Sequence, residues 1–87
     1  MLFHIEYTLQ PSARNDAQSR FQETGGGPPE GATMVGRWHK AGGLGGFLLA
    51  ESSDPVAIGK WMQQWTDLLE FEVTPVLNDE QVMEVLE

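Results

Sequence analysis

Cysteine is absent from this sequence, and its absence removes two ways of stabilising a small domain. Disulfides and thiolate metal centres both need cysteine, and two histidines do not favour a structural zinc site. We therefore expect neither a metal nor a cofactor. A chain of 87 residues buries only a modest core. Because domains of this size often gain stability from a second subunit, we expect a homodimer.

Positive charge is also scarce. Five Lys and Arg residues stand against thirteen Asp and Glu residues, so that the net charge is -8. Such a chain repels phosphate backbones and anionic membrane surfaces, and we expect neither nucleic acid nor membrane as a partner. No apolar run approaches the roughly 20 residues of a membrane span. The first residues, MLFHIEY, lack the features of a secretion signal. We therefore expect a cytoplasmic protein.

The spacing of apolar residues predicts the order of helices and strands. Strict alternation indicates strands, and the stripe of Ile58, Trp61, Met62, Trp65, Leu68 and Leu69 indicates a helix. Asp54 before a proline is typical of a helix start. The predicted elements are a strand over Leu2 to Leu9, a helix from a Ser12 cap to about Thr24, strands over Thr33 to Lys40 and Phe47 to Glu51, a helix from Pro55, a strand over Phe71 to Leu77, and a final helix that starts at the capping box of Asn78 and Gln81.

This βαββαβ order is that of the ferredoxin-like fold. We expect one α+β domain over residues 1–87, in which two helices cover one face of a four-stranded antiparallel sheet and a short helix follows. Phe71, Val73, Leu77 and the odd-numbered residues of the first strand are expected to face the helices. The open face would then carry His4, Glu6 and Thr8 from the first strand and Glu72, Thr74 and Val76 from the fourth.

The second strand allows two orientations, because both of its faces mix polar and apolar residues. The open face receives either Val35, Arg37 and His39 or Met34, Gly36 and Trp38. In either case the open face is neither fully polar nor fully apolar. Such a face suits contact with a second sheet around a polar cavity. We therefore predict a dimeric α+β barrel in which two open faces meet.

Several segments of the chain resemble a known family. They are LFHIEYTL, RFQETGG, PPEG, GRWH and KWMQQWTDLLEFEVTPVLNDEQ, which together span most of the chain. The sequence resembles the bacterial DUF3303 family of small proteins. The resemblance implies a ferredoxin-like domain of the dimeric α+β barrel group. Related barrels include cofactor-free monooxygenases, haem-handling enzymes and small-molecule isomerases, which is an analogy of fold. No catalytic residue carries over from the family.

Two glycine-rich segments could be taken for phosphate-binding loops. Such a loop joins a strand to the N-terminus of a helix, where free N–H groups meet the anion. GGLGG precedes FLLAE, which reads as a strand, and neither segment contains a Gly-Lys-Ser/Thr motif. We therefore interpret Ala41 to Gly46 as a hairpin connection. Gly25 to Gly31 (GGGPPEG) is a loop that could also cover a site as a lid.

The candidate functional residues are the polar and aromatic side chains of the strands. Histidine can serve as an acid, a base or a ligand near neutral pH, so His39 and His4 are the catalytic candidates. Arg37 can pair with a carboxylate of the protein or with that of a ligand. The predicted binding residues are His4, Glu6, Arg37, Trp38, His39 and Glu72.

Three functions remain open on the sequence alone. The first is binding of a small molecule in or near a cavity between the two sheets. The second is a cofactor-independent enzyme, monooxygenase-like or isomerase-like, that uses His39 or His4 as acid or base. The third is a structural or protein-interaction module without a small-molecule site, in which the polar sheet face is only a dimer interface.

Overall fold

A computed structural model describes all residues from 1 to 87. Its single sheet has the strand order β2-β3-β1-β4, and every pair of neighbouring strands is antiparallel. The predicted ferredoxin-like fold is therefore confirmed. The elements are β1 (Leu2–Thr8), α1 (Arg14–Thr24), β2 (Thr33–His39), β3 (Gly45–Glu51), α2 (Pro55–Gln63), β4 (Glu70–Val76) and α3 (Asp79–Val85).

The first helix begins differently from the prediction. Ser12 does not cap it, because Pro11–Ala13 forms a single 3-10 turn that leads directly into α1. The helix ends at Thr24 as predicted, where Gly25 adopts a left-handed backbone conformation with φ of 73°. Ala17 is the only residue of α1 that is buried. This helix therefore contributes little side-chain volume to the space beneath it.

The other two helices begin at the predicted caps. Asp54 accepts a hydrogen bond from the backbone N–H of Val56 at 2.9 Å, and Pro55 opens α2. Asn78 and Gln81 form the reciprocal bonds of a capping box at the start of α3. The predicted helical stripe runs on to Leu69, but the regular part of α2 ends at Gln63, and the chain continues through turns to β4.

The core lies between the sheet and α2. It consists of side chains from β1, β3 and α2: Phe3, Ile5, Leu48, Ala50, Ile58, Trp61 and Met62. The odd-numbered residues of β1 therefore face the helices, as predicted. Phe71 and Val73 of β4 pair with Tyr7 and Ile5 and lie on the same side of the sheet. The even-numbered residues of β1 lie on the open face.

A β-bulge decides the orientation of β2. Met34 pairs with the buried Ala50, but the next paired residue is Gly36, so Val35 is extra in the ladder. Beyond the bulge, Arg37 pairs with the buried Leu48 and His39 with Gly46, so both side chains face the helices. Gly36 and Trp38 lie on the open face, which is the second predicted orientation. Met34 departs from that prediction and lies on the helix side because the bulge breaks the alternation.

The last helix leaves apolar surface uncovered. None of the residues of α3 is buried, and Val82, Val85 and Leu86 at its end are exposed. The Cα radius of gyration is 14.1 Å, whereas a compact chain of this length would have about 12 Å. The molecule is therefore elongated, with extents of 48 × 27 × 17 Å. No helix combines the length and the apolar character that crossing a membrane requires.

Candidate functional site

A cavity of about 450 Å³ lies on the helix-covered side of the sheet. It extends between α1, α2 and the strands, and we call it the helix-side cavity. Most of its wall is apolar or aromatic. Side chains that form this wall include Ala17 and Phe21 from α1, Trp61 and Met62 from α2, and Leu48 and Phe71 from the sheet. The small Ala17 is the only buried residue of α1, which leaves space under this helix.

A hydrogen-bonded pair forms the polar part of the wall. The hydroxyl oxygen of Tyr7 on β1 is hydrogen bonded to Nδ1 of His39 at the end of β2. The edge of the His39 ring also packs against Phe21 of α1, with the ring centroids 5.5 Å apart. These two contacts fix the orientation of the imidazole. Its other nitrogen, Nε2, makes no hydrogen bond within the chain and is free for a ligand.

Arg37 connects β2 to the end of α1. Its guanidinium donates hydrogen bonds of 2.8 Å each to the carbonyl oxygens of Gly25 and Gly26. It also lies over the ring of Phe21, at 4.8 Å from the centroid. The indole N–H of Trp61 donates to the same Gly26 oxygen at 3.2 Å. A cation beside the C-terminal carbonyls of a helix also interacts favourably with the helix dipole. Arg37 thus holds the glycine turn against the sheet.

The surroundings of this group shift three pKa values. His39 is exposed overall, but the loss of water on the side of its ring that packs against the protein lowers its pKa below the usual 6.5, and the nearby positive charge of Arg37 lowers it further. Burial raises the pKa of the Tyr7 hydroxyl, an effect that Arg37 partly opposes. Burial lowers the pKa of Arg37, and interaction with Tyr7 opposes this shift. At pH 7 the site therefore holds a neutral imidazole, a neutral phenol and one guanidinium cation.

The six predicted binding residues do not form one cluster, because they lie on both faces of the sheet. Arg37 and His39 line the helix-side cavity. The remaining four lie on the open face, and these are His4, Glu6, Trp38 and Glu72. The two groups are separated because alternation and the bulge at Val35 turn successive side chains of β2 to opposite sides.

The open face carries a row of stacked rings that crosses three strands. His4 of β1 stacks on Phe47 of β3 with the ring centroids 5.4 Å apart, and Trp38 of β2 stacks on the same ring at 5.2 Å. We call these three residues the aromatic row. Glu6 of β1 lies directly opposite Glu72 of the neighbouring strand β4. No Lys or Arg occurs among the strand residues of this face, so these carboxylates have no cationic partner there.

Sequence reasoning missed two residues of the helix-side cavity, Tyr7 and Phe21. Tyr7 was expected under the helices, but its hydroxyl was not given a role. Tyr7 on β1 and His39 on β2 are separated by β3, and they meet across Gly46, which pairs with both residues and has no side chain between them. Phe21 lies on the thin apolar face of α1, and it gained significance only when the fold placed it between Arg37 and His39.

These features define an α+β domain of ferredoxin-like fold with a mostly apolar cavity between its helices and its sheet. The chain belongs to the DUF3303 family, described as a domain of unknown function, whose family model matches residues 1–87. The fold is similar to the solved structure of Rv0793 from Mycobacterium tuberculosis, with a TM-score of 0.54 and 15% sequence identity. That similarity covers 90% of this chain and 96% of the other. No curated protein matches the sequence.

We predict that His39 titrates below pH 6.5. Burial and the charge of Arg37 both disfavour the imidazolium, so Arg37→Gln should raise the pKa of His39 toward 6.5. The measurement is a pH titration of the imidazole ring protons by NMR. Lys60→Gln removes a positive charge from a side chain that does not line the cavity, and it should leave the midpoint unchanged. A midpoint at or above 6.5 in the wild type would contradict this account of the site.

Proposed function

We propose that this chain forms a homodimer and binds a small, mostly apolar organic molecule in the helix-side cavity. The observation that carries the proposal is the cavity itself. Its volume of about 450 Å³ lies in the range of roughly 300–1,000 Å³ that is usual for small-molecule sites. Such sites combine an apolar wall with a few polar groups, as Tyr7, Arg37 and His39 do here. The sequence suggested a site between two sheets, and the proposal moves it to the other side of the sheet.

The wall also limits the chemistry of the ligand. Arg37 is the only formally charged side chain in the lining, and no carboxylate or lysine lies there. A cationic ligand would therefore meet a like charge without compensation, whereas a neutral or singly anionic ligand would not. Phe21, Trp61, Trp65 and Phe71 present ring surfaces to the cavity. A flat ring system with one or two oxygen functions fits this wall best.

The open face supports the dimer part of the proposal. Trp38 and Phe47 are 52% and 40% exposed as residues, although their rings stack on one another. Exposed aromatic surface of this kind is typical of an interaction site. A second copy offers the same row of rings, and two antiparallel sheets pack face to face in this manner. Glu6 and Glu72, which have no cationic partner on this face, would stay in contact with water at the rim.

Occupation of the cavity can be tested with 1-anilinonaphthalene-8-sulfonate, an aromatic anion whose fluorescence rises in apolar surroundings. Gln18 lines the cavity from α1, so Gln18→Trp should fill part of it and weaken binding of the dye by about tenfold or more. Ser19→Trp adds the same indole at a neighbouring position outside the lining and should bind like the wild type. Equal affinities of the two variants would refute the proposed site and leave the chain as an interaction module.

Dimerisation can be tested by light scattering coupled to gel filtration. We expect a particle of twice the 9.6 kDa mass of one chain. Trp38→Arg should shift it to the monomer, because loss of a tryptophan anchor at the centre of an interface typically costs about 2 kcal/mol or more and the new charge would be buried without a partner. Val56→Arg, which is also exposed but lies on α2, should leave the dimer intact. A wild-type monomer at high micromolar concentration would exclude the dimer.

A further inference from the structure

We propose that the helix-side cavity is also a catalytic site, in which Nε2 of His39 takes a proton from the carbon next to a carbonyl group and returns it to another carbon of the same molecule. The reaction is a proton shift within an unsaturated, mostly apolar ketone. This proposal rests on the proposed binding function of the cavity. Beyond that function, it assigns a reaction, a substrate class and three roles to residues of the lining.

The base is His39, because the structure leaves one of its ring nitrogens available at the cavity. Nδ1 is bound to the Tyr7 hydroxyl, whereas Nε2 has no partner in the chain. The neutral form of the ring is favoured at pH 7, as a base requires. Tyr7 and Arg37 are the titratable groups that border His39 from the sheet, and α1 and α2 contribute only uncharged side chains to the lining.

Tyr7 acts as a positioning residue. Its hydroxyl oxygen can accept a hydrogen bond from Nδ1–H while Nε2 carries the lone pair. When Nε2 gains a proton, the same contact stabilises the imidazolium that forms. The packing of Phe21 against the ring restricts rotation of the imidazole. Together these contacts hold the imidazole in one orientation at the wall of the cavity.

Arg37 supplies the charge that the reaction intermediate needs. Removal of the proton leaves negative charge on the carbonyl oxygen of the substrate, and a fixed cation at that oxygen lowers the barrier. Two of the N–H donors of Arg37 are held by Gly25 and Gly26, which leaves further donors of its fork for a ligand. Because the guanidinium is already held by these carbonyls, it need not reorganise during the reaction.

The proposed step is balanced without a co-reactant. The C–H bond at the carbon next to the carbonyl breaks, an N–H bond forms at Nε2, and the electron pair moves onto the carbonyl oxygen to give a dienolate. The N–H bond then breaks and a C–H bond forms at the far carbon of the double bond. The carbonyl is restored and the carbon–carbon double bond has moved one position. His39 is thereby returned to its neutral form.

The first half of this reaction can be measured with 2-tetralone, a bicyclic aromatic ketone whose protons next to the carbonyl are weakly acidic. In D₂O, the wild-type protein should speed their exchange for deuterium, followed by NMR. His39→Gln should slow the protein-catalysed exchange by about 100-fold, in line with the usual contribution of a general base. His4→Gln is the matched control, because His4 lies on the opposite face and should not affect the rate.

Two further variants test the other roles. Tyr7→Phe should slow the exchange by about tenfold or more while the affinity for 2-tetralone, measured by tryptophan fluorescence, changes by less than about threefold. Arg37→Gln should slow the exchange by at least as much and also weaken binding of 2-tetralone, because Arg37 holds the glycine turn and Phe21 in the cavity wall. The wild-type rate should rise with pH through a midpoint below 6.5, because protonation of His39 removes the base and its pKa is lowered. Circular dichroism of each variant checks that it is folded.

Each failure has a distinct meaning. If 2-tetralone binds and its exchange rate stays at that of buffer, the proton transfer is overturned and the binding function stands. If the naphthalene dye binds but 2-tetralone does not, the proposed substrate class is overturned. If neither binds, the proposed function itself fails, and the catalytic proposal fails with it. An exchange rate that His4→Gln lowers as much as His39→Gln overturns the assignment of the base.

Discussion

A single extra residue in β2 decides which way the functional side chains of this chain point. The bulge at Val35 lets Met34 pack against the core and still turns Arg37 and His39 toward the helices. Without it, strict alternation from Met34 would place Arg37 on the open face. The same bulge directs Trp38 outward, where its ring stacks on Phe47. The cavity and the aromatic row therefore both depend on one irregularity of the ladder.

Arg37, which the bulge turns toward the helices, holds the walls of the cavity in place. Its bonds to the two glycine carbonyls fix the end of α1 relative to the sheet, and its contact with Phe21 holds the aromatic wall. The small buried face of α1 leaves space that a bulkier helix would fill. The polar pair of Tyr7 and His39 borders that space. A weakly packed helix and a tightly held arginine together form the candidate site.

The sequence predicted the parts of this structure that follow from regular periodicity. The alternation of β1, the cap at Asp54 and the capping box of α3 specified their elements, and the structure confirms them. Gly36 inside the strand is a sign of a bulge, but Val35 is an ordinary strand residue, and the sequence does not say which residue is extra in the ladder. Grouping Arg37 with Glu6 and Glu72 required Arg37 to lie on the open face. The register beyond the bulge places it on the helix side instead. The homodimer and the cytoplasmic location stay predictions.

The three tryptophans test the central claim, that the ligand site lies on the helix side of the sheet. Trp61 and Trp65 line the cavity, whereas Trp38 lies on the open face. The measurement is the NMR shift of the three indole N–H signals during titration with 1-anilinonaphthalene-8-sulfonate. This account predicts that the signals of Trp61 and Trp65 move and that of Trp38 does not. A shift confined to Trp38 would contradict it and place the site on the open face.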